Sequence, residues 1–325
     1  MAYSALRAIR TLIMHYIGRF APSPTGPLHF GSLIAAVASY CDAKSKHGQW
    51  LLRMEDLDKP REMAGAADAI LRSLEAFGFE WDAPILYQSQ RSEIYEDYLQ
   101  RLKRNGFIYA CTCSRKEIAD SSIANGVEGA IYPKTCVHNK HTSQNHASTS
   151  RMNACSWRIN VDDAQKVAFV DAIQGAVSQN LQTDVGDFVL KRKDGFFAYQ
   201  LAVVVDDALQ NITHIVRGAD LLDSTPRQIY LQYLLNFQTP EYAHVPVAAN
   251  SAGEKLSKQT LAKPIDTRLA NNYNASQLIF EVLSFLGQTP PAEIKNASLD
   301  ACWHWAISNW SLAKVPKRTQ IMIIE

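Results

Sequence analysis

The sequence predicts an α/β protein built on a doubly wound parallel sheet. Short apolar runs of strand length alternate with longer segments of helical period over most of residues 16–237, as a sheet with crossover helices requires. Charged and proline-rich motifs stand just past the predicted strand ends, where open sheets of this kind bind ligands. With 325 residues, 47% of them hydrophobic and 20% charged, the chain has material for a large core and an ordinary globular composition.

Tyr16 to Phe20 reads as the first strand, ended by Pro22, Pro24, Gly26 and Pro27, since proline cannot donate to a sheet ladder. A helix follows from about His29 to His47, with Leu33, Ile34, Val37, Tyr40 and Cys41 on one face. Trp50 to Met54 is the next strand, with Glu55-Asp56-Leu57-Asp58 at its carboxyl end. Ala64 to Phe77 and Arg91 to Asn105 have helical period, and Phe107 to Cys111 reads as a strand of the same sheet.

Residues 111–156 break this pattern, because glycine, serine, asparagine and histidine dominate and no apolar period survives. The segment is expected to be an insertion. Phe188-Val189-Leu190 and Phe196 to Gln200 are predicted strands joined by a Lys193-Asp194-Gly195 turn. Leu201 to Leu209 is expected as a helix, Ile212 to Val216 as a strand and Thr225 to Phe237 as a helix. Farther on, Leu278, Ile279, Val282 and Phe285 mark a helix closed by Gly287. Ser298 is positioned to cap another, carrying Leu299, Cys302, Trp303, Ala306 and Trp310. Residues 1–15 are expected to be a disordered extension, with a true start at Met14 as the alternative reading, and 238–325 to form a loop and helical tail.

No segment approaches the roughly 20 apolar residues that span a bilayer, and the short apolar run Thr11 to Met14 has no cleavage site after it. A cytoplasmic protein without membrane or DNA partners is expected. The net charge is only +1, so a nucleic acid must be met by local basic patches. Arg101-Leu102-Lys103-Arg104, Lys191-Arg192-Lys193 and Lys314-Val315-Pro316-Lys317-Arg318 are the candidates, with solvated helix ends and turns as the alternative.

The chemistry concentrates in two motifs. The first runs Arg19-Phe20-Ala21-Pro22-Ser23-Pro24-Thr25-Gly26-Pro27-Leu28-His29-Phe30-Gly31-Ser32, and the second is Lys255-Leu256-Ser257-Lys258. A polyanion held between a helix N-terminus and a lysine loop indicates ATP, with the triphosphate as the reacting group. His29 at the helix start hydrogen-bonds a phosphate oxygen, and Gly31 lets the adenosine approach the backbone. Lys258, with Lys255 second, supplies positive charge where pyrophosphate departs. Arg19, Glu55, Tyr199 and Arg217 compose an amino-acid pocket. Guanidinium groups take carboxylates and an acid takes the ammonium, so two arginines favour an acidic amino acid.

Of six cysteines, Cys111, Cys113, Cys136 and Cys155 share one window. That arrangement favours metal over disulfides in a cytosolic protein. Cys111-Thr112-Cys113 and Cys136 give three thiolates of a structural Zn²⁺ site. Spacing leaves the fourth ligand open among Cys155, His138, His141 and Tyr132. Cys41 and Cys302 fall on apolar helix faces and are expected in the core.

With these residues in hand, a resemblance can be stated. Arg19 to Ser32, Arg53-Met54-Glu55-Asp56, Tyr199 to Asp207, Arg217-Gly218-Ala219-Asp220 and Ser224-Thr225-Pro226-Arg227 are similar to the catalytic half of the glutamyl-tRNA synthetases. His29-Phe30-Gly31-Ser32 and Lys255-Leu256-Ser257-Lys258-Gln259 correspond to the two class I signatures, with Ser32 in place of a second histidine and Gln259 in place of a final serine. The Pro-Leu-His-Phe-Gly-Ser form, the Cys-x-Cys and the later Tyr-x-x-x-Cys resemble a truncated branch, the glutamyl-queuosine tRNA(Asp) synthetases.

The resemblance implies a Rossmann-type catalytic domain with a zinc-binding insertion, a short helical region meeting the tRNA stem, and no anticodon-binding domain. It implies activation of L-glutamate by ATP with Mg²⁺ and without tRNA, then transfer of glutamate to the cyclopentenediol of queuosine in tRNA(Asp), by a monomer. Zinc falls on Cys111, Cys113, Tyr132 and Cys136. Glutamate falls on Arg19, Phe20, Ala21, Pro22, Ser23, Glu55, Tyr199 and Arg217, and ATP on His29, Gly31, Ser32 and Lys258. A shortened enzyme charging tRNA(Glu), a small-molecule nucleotidyltransferase and an inactive tRNA-binding relative are the alternatives.

Overall fold

The computed structural model describes residues 15–127, 129–138, 155–164, 166–250 and 275–323. The predicted Lys255 and Lys258, with Gln259, lie outside the described residues, as do residues 1–14 and His141.

Strand β1 (Ile17–Phe20) leads through the proline-rich turn into α1 (Phe30–Ser45) and returns to β2 (Gln49–Met54), which pairs with β1 in parallel. Helix α2 (Ala66–Ala76) then carries the chain to β3 (Leu86–Tyr87), parallel to β2. Helix α3 (Ser92–Arg104) and β4 (Ile108–Cys111) follow. The next segment holds α4 (Arg115–Ser121), the two-residue strands β5 (Asn125–Gly126) and β6 (Gly129–Ala130), and α5 (Thr135–His138). Then come β7 (Ser156–Ile159), an antiparallel hairpin of β8 (Val167–Asp171) and β9 (Gly175–Gln179), α6 (Leu181–Asp184) and β10 (Val189–Lys191). Helix α7 (Tyr199–Leu209), β11 (His214–Gly218), α8 (Thr225–Leu235), β12 (Glu241–Val245) and β13 (Val247–Ala249) continue the α/β order. Helices α9 (Ala275–Phe285) and α10 (Leu299–Asn309) precede β14 (Gln320–Met322).

Strands β11 and β12 are parallel, and the sheet continues across to β1. The Thr213 N–H donates to Ile17 O at 2.9 Å, and the Ile17 N–H donates to Thr213 Oγ1 at 2.8 Å. The order β3-β2-β1 on one side and β11-β12 on the other makes the β1/β11 junction a switch point, where a crevice opens beyond the strands' carboxyl ends. Because β12 belongs to this sheet, the α/β unit runs past residue 237, where the sequence pattern placed its end.

Helix α1 is covered on more than its predicted face. Ten of its sixteen residues are buried, because the sheet lies on one side and α9 and α10 pack on the other. Tyr40, Trp50, Phe79 and Trp303 form an aromatic cluster there, and Trp303 Nε1 donates to Phe77 O at 2.8 Å. Cys41 and Cys302 are fully buried in this core. A second core joins α3, α7 and α8 through residues such as Tyr95, Leu99, Val204 and Leu231. Ser298 accepts from the Ala301 N–H as the cap of α10, as its position predicts. Among the described residues no helix is long and apolar enough to cross a membrane.

Two expectations need correction. Residues 108–111 form a strand, but not of the parallel sheet: β4 pairs antiparallel with β7, which pairs antiparallel with β10. Cys111 and Ser156, the limits predicted for the insertion, are partners in that register. The turn at Lys193-Asp194-Gly195 is present, with a bridge between Lys191 and Phe197, but its second arm stops at Ala198 and Tyr199 already begins α7. The β8–β9 hairpin was not foreseen. Its two strands alternate half-buried and exposed residues and each buries only its last residue, Asp171 and Gln179.

Candidate active site

A cleft of about 1570 Å³ opens where β1, β2 and β11 end. Its proline-rich wall is pinned to the segment after β2: the Glu55 N–H donates to Pro22 O at 2.9 Å and the Met63 N–H to Pro24 O at 3.0 Å. Fixed proline φ angles make this wall stiff. Arg19 and Phe20 come from β1, Ala21 to Ser23 from the turn, Glu55 from the end of β2, Tyr199 from the first position of α7 and Arg217 from β11. All of them line the cleft.

His29, Gly31 and Ser32 line it too, at the start of α1. His29 is the N-cap residue in extended conformation, and its Nδ1 accepts from the Ser32 N–H at 3.3 Å. With Nδ1 accepting, the ring proton is on Nε2, which donates to Ser32 Oγ at 3.0 Å. The geometry leaves Nε2 able to give its proton to a phosphate oxygen in place of Ser32 Oγ, beside N–H groups at the positive end of the helix. Ser32 thus orients His29.

The arginines are held differently. Arg19, 4% exposed, gives Nε and Nη2 to the two oxygens of Asp207 at 3.1 and 3.4 Å. Asp207 also accepts from Arg53 Nη2 at 2.7 Å, and the same nitrogen lies 3.4 Å from Glu55 Oε1. Burial works against a charged Asp207, but Arg19 and Arg53 outweigh it and hold the carboxyl below its ordinary value. Burial pushes the Glu55 carboxyl up, with Arg53 and Arg19 pulling against it. An ammonium group arriving at Glu55 favours its charged form.

Arg217, also 4% exposed, donates from Nε to His244 Nε2 at 3.0 Å, from Nη2 to Thr225 Oγ1 at 2.8 Å and from Nη1 to Tyr199 OH at 3.4 Å. These partners are all neutral, and among the described residues no carboxylate pairs with it.

The sequence did not reveal Asp207 or Arg53 as partners of the pocket, although both stand inside the motifs. Asp206 and Asp207 are adjacent on α7 and look alike in sequence. Asp206 turns to α3, accepting from Gln88, Arg91 and Tyr95, while Asp207 turns to β1 and β2. Their different directions follow from the 100° step of a helix.

The cysteine group lies at the end of β4. Cys111, Cys113 and Cys136 have sulfurs within 4.8 Å of one another, with 3.5 Å between Cys113 and Cys136. The Tyr132 oxygen is 3.4 Å from Cys111 Sγ and 3.6 Å from Cys113 Sγ. Zn–S bonds of about 2.3 Å and Zn–O bonds of about 2.0 Å in a tetrahedron put sulfurs about 3.8 Å apart and sulfur and oxygen about 3.5 Å apart. The donor set fits such an ion. Cys155 is buried but is not in this group, and the side chain of His138 lies outside the described residues. Burial alone raises the Cys136 thiol, but hydrogen bonds with Tyr132, the Thr112 backbone and Cys113 bring it to about 7, within reach of the metal-binding thiolate.

Residues 17–304 match the model of the class I tRNA synthetase catalytic domain for E and Q. A glutamyl-Q tRNA(Asp) synthetase from Dechloromonas aromatica is 54% identical over 309 residues, which is 95% of this chain and 98% of that protein. One of the same name from Chromobacterium violaceum is 54% identical over 301 residues, covering 93% and 95%. Among solved structures, a glutamate tRNA ligase from Elizabethkingia meningosepticum in complex with its amino acid superposes with a TM-score of 0.76 at 25% identity. The match covers 94% of this chain and 66% of that one.

Proposed function

The chain belongs to the glutamyl-Q tRNA(Asp) synthetases, a family of class I aminoacyl-tRNA synthetase-type ligases, and from that premise we propose that it activates glutamate with ATP and transfers it to queuosine in the anticodon of tRNA(Asp). The observation that supports this most directly is the convergence of Arg19, Glu55, Tyr199 and Arg217 with His29 in one cleft at the sheet's switch point.

Arg217 and Arg19 take the carboxylates of glutamate and Glu55 takes its ammonium group, with Tyr199 bracing Arg217. Phe20, Ala21, Pro22 and Ser23 form the wall against which the substrate lies. The α-carboxylate oxygen attacks the α-phosphorus of ATP, the bond to the bridging oxygen breaks, and pyrophosphate leaves; Mg²⁺ bound to the phosphates would offset part of their charge. His29, Gly31 and Ser32 hold the nucleotide. Lys258 and Lys255 stabilise the charge growing on the departing oxygens, a role of about 3 kcal/mol for one well-placed group. A cyclopentenediol hydroxyl then attacks the adenylate carbonyl and AMP leaves.

Cys111, Cys113, Tyr132 and Cys136 would hold one zinc ion, which would supply a structural link between the residues around Tyr132 and Cys136 and the end of β4. The exposed Lys314, Lys317 and Arg318 of the helical tail meet the tRNA backbone. The deciding test is incorporation of labelled glutamate, with ATP, into queuosine-containing tRNA(Asp) against the unmodified transcript and tRNA(Glu). Label only on the modified tRNA is expected. Label on tRNA(Glu) instead would overturn the assignment in favour of 3′-end charging.

A further inference from the structure

Arg217 projects from β11 into the cleft, and what fixes it lies behind the cleft wall. Its Nε donates to His244 Nε2 at 3.0 Å, and His244 Nδ1 is 2.6 Å from Asp171 Oδ2. The His244 N–H also donates to Asp171 Oδ1 at 3.1 Å. His244 is on β12, next to β11, and Asp171 ends β8, so the three side chains cross three neighbouring strands. His244 is fully buried and Asp171 is 2% exposed. Neither lines the cleft.

The hydrogen-bond directions are fixed by the two ends. An arginine Nε can only donate, so His244 Nε2 must accept; an ionised carboxylate can only accept, so His244 Nδ1 must carry the proton. Asp171 therefore selects the one neutral tautomer that can receive Arg217. Burial lowers His244 to about 4, against the pull of Asp171, so the ring stays neutral at ordinary pH. Thr225 Oγ1 holds Nη2 from the other side at 2.8 Å, which leaves the guanidinium plane no freedom to turn.

We propose that His244 and Asp171 are positioning residues for glutamate: Asp171 sets the His244 tautomer, and His244 sets the plane of the Arg217 guanidinium that receives a substrate carboxylate. The arrangement also gives a reason for the neutral shell around Arg217. A carboxylate in direct contact would compete with the substrate for the same N–H groups, whereas Asp171 acts from one residue farther away. This inference rests on Arg217 being a glutamate ligand, the reading given above.

The test is steady-state ATP–pyrophosphate exchange on the full chain, with KM measured separately for glutamate and for ATP. Asp171→Asn keeps the shape of the side chain but can present an N–H to His244 Nδ1. That moves the ring proton to Nε2, where it meets the Arg217 N–H head on. KM for glutamate is expected to rise at least about tenfold while KM for ATP stays within about twofold. His244→Gln, whose amide oxygen can still accept from Arg217 Nε, is expected to stay close to the native KM. His244→Leu, with no acceptor, is expected to resemble Asp171→Asn.

A purely structural role moves both KM values and kcat together and affects His244→Gln and His244→Leu alike; that result overturns the proposal. So does an unchanged glutamate KM in Asp171→Asn and His244→Leu. Arg217→Lys separates this from the underlying reading. A raised glutamate KM there, with none in the Asp171 and His244 variants, defeats only the positioning role, whereas an unchanged value defeats the assignment of Arg217 itself. If Asp171→Asn fails to fold, the His244→Gln and His244→Leu pair decides.

Discussion

Replacing Asp207 by asparagine tests the ion cluster that holds Arg19. Asp207 is 3% exposed and accepts from Arg19 at 3.1 and 3.4 Å and from Arg53, which is fully buried, at 2.7 Å. The amide keeps the volume but removes the charge, and its NH₂ must turn toward one of the two guanidinium groups. Among the described residues, Arg53 then keeps an ion pair only with Glu55, at 3.4 Å, whose charged form burial already disfavours, and Arg19 keeps none. Removing one partner from a buried ion pair costs about 3–5 kcal/mol. At about 2.1 cal/mol/K of unfolding entropy per residue, a chain of 325 residues loses roughly 6 °C of Tm for about 4 kcal/mol. Asp207→Asn should therefore melt roughly 6 °C below the native protein and show a raised KM for glutamate, because Arg19 loses its anchor. Differential scanning calorimetry at neutral pH and pyrophosphate exchange measure the two effects. A melting point within 1 °C of native, with unchanged glutamate KM, would refute the idea that Asp207 is what holds the two arginines.

Two further outcomes follow from the same side chains. Metal analysis of purified protein should find about one zinc per chain, lost in Cys113→Ser; a metal-free native protein sinks the zinc assignment. His244 has its pKa depressed by burial to about 4 in the folded chain, against about 6.5 unfolded. The unfolded state then binds the extra proton first, so this contribution is complete above pH 6.5 and is lost as pH falls toward 4, by at most about 3 kcal/mol. Asp171, Arg217 and Asp220 are the charged groups acting on it. Chemical denaturation between pH 4 and 7 should show a steeper loss for the native protein than for His244→Gln, and equal slopes would contradict the assignment.

The parallel sheet and most helices were legible because each carries its own local signal. The 3.6-residue period of α1, the proline-rich stop after β1 and the serine cap of α10 all appear within a dozen residues. What escaped depended on distant pairing. Residues 108–111 have the composition of a strand in either sheet, and only the return of Ser156–Ile159 alongside them decides for the antiparallel one. Tyr199 could not be assigned to helix rather than strand by its neighbours alone, since the apolar and aromatic run Phe196 to Tyr199 suits either. The site shows the same division. Residues that face the cleft sit in motifs, and the sequence displays them. The groups that hold them, Asp207 on α7 and the His244–Asp171 pair across β12 and β8, are ordinary polar residues until the fold brings them behind the cleft.

That division bears on how one pocket can recognise an amino acid that carries two carboxylates and one ammonium group. Arg19 shares Asp207 with Arg53, which itself lies 3.4 Å from Glu55, so this corner holds both signs of charge and suits the end of the substrate where ammonium and carboxylate are close together. Arg217 is surrounded by Tyr199, Thr225 and His244, which orient it without neutralising it, so its corner suits a carboxylate with no ammonium beside it. The cost of keeping an unneutralised guanidinium buried is offset only when an anion arrives. Replacing the substrate's side-chain carboxylate by an amide removes that anion and leaves the charge in place. On the proposed placement of the substrate, glutamate is therefore expected to be preferred over glutamine because of the neutral shell of Arg217 rather than any group that repels the amide; pyrophosphate exchange with each amino acid measures this.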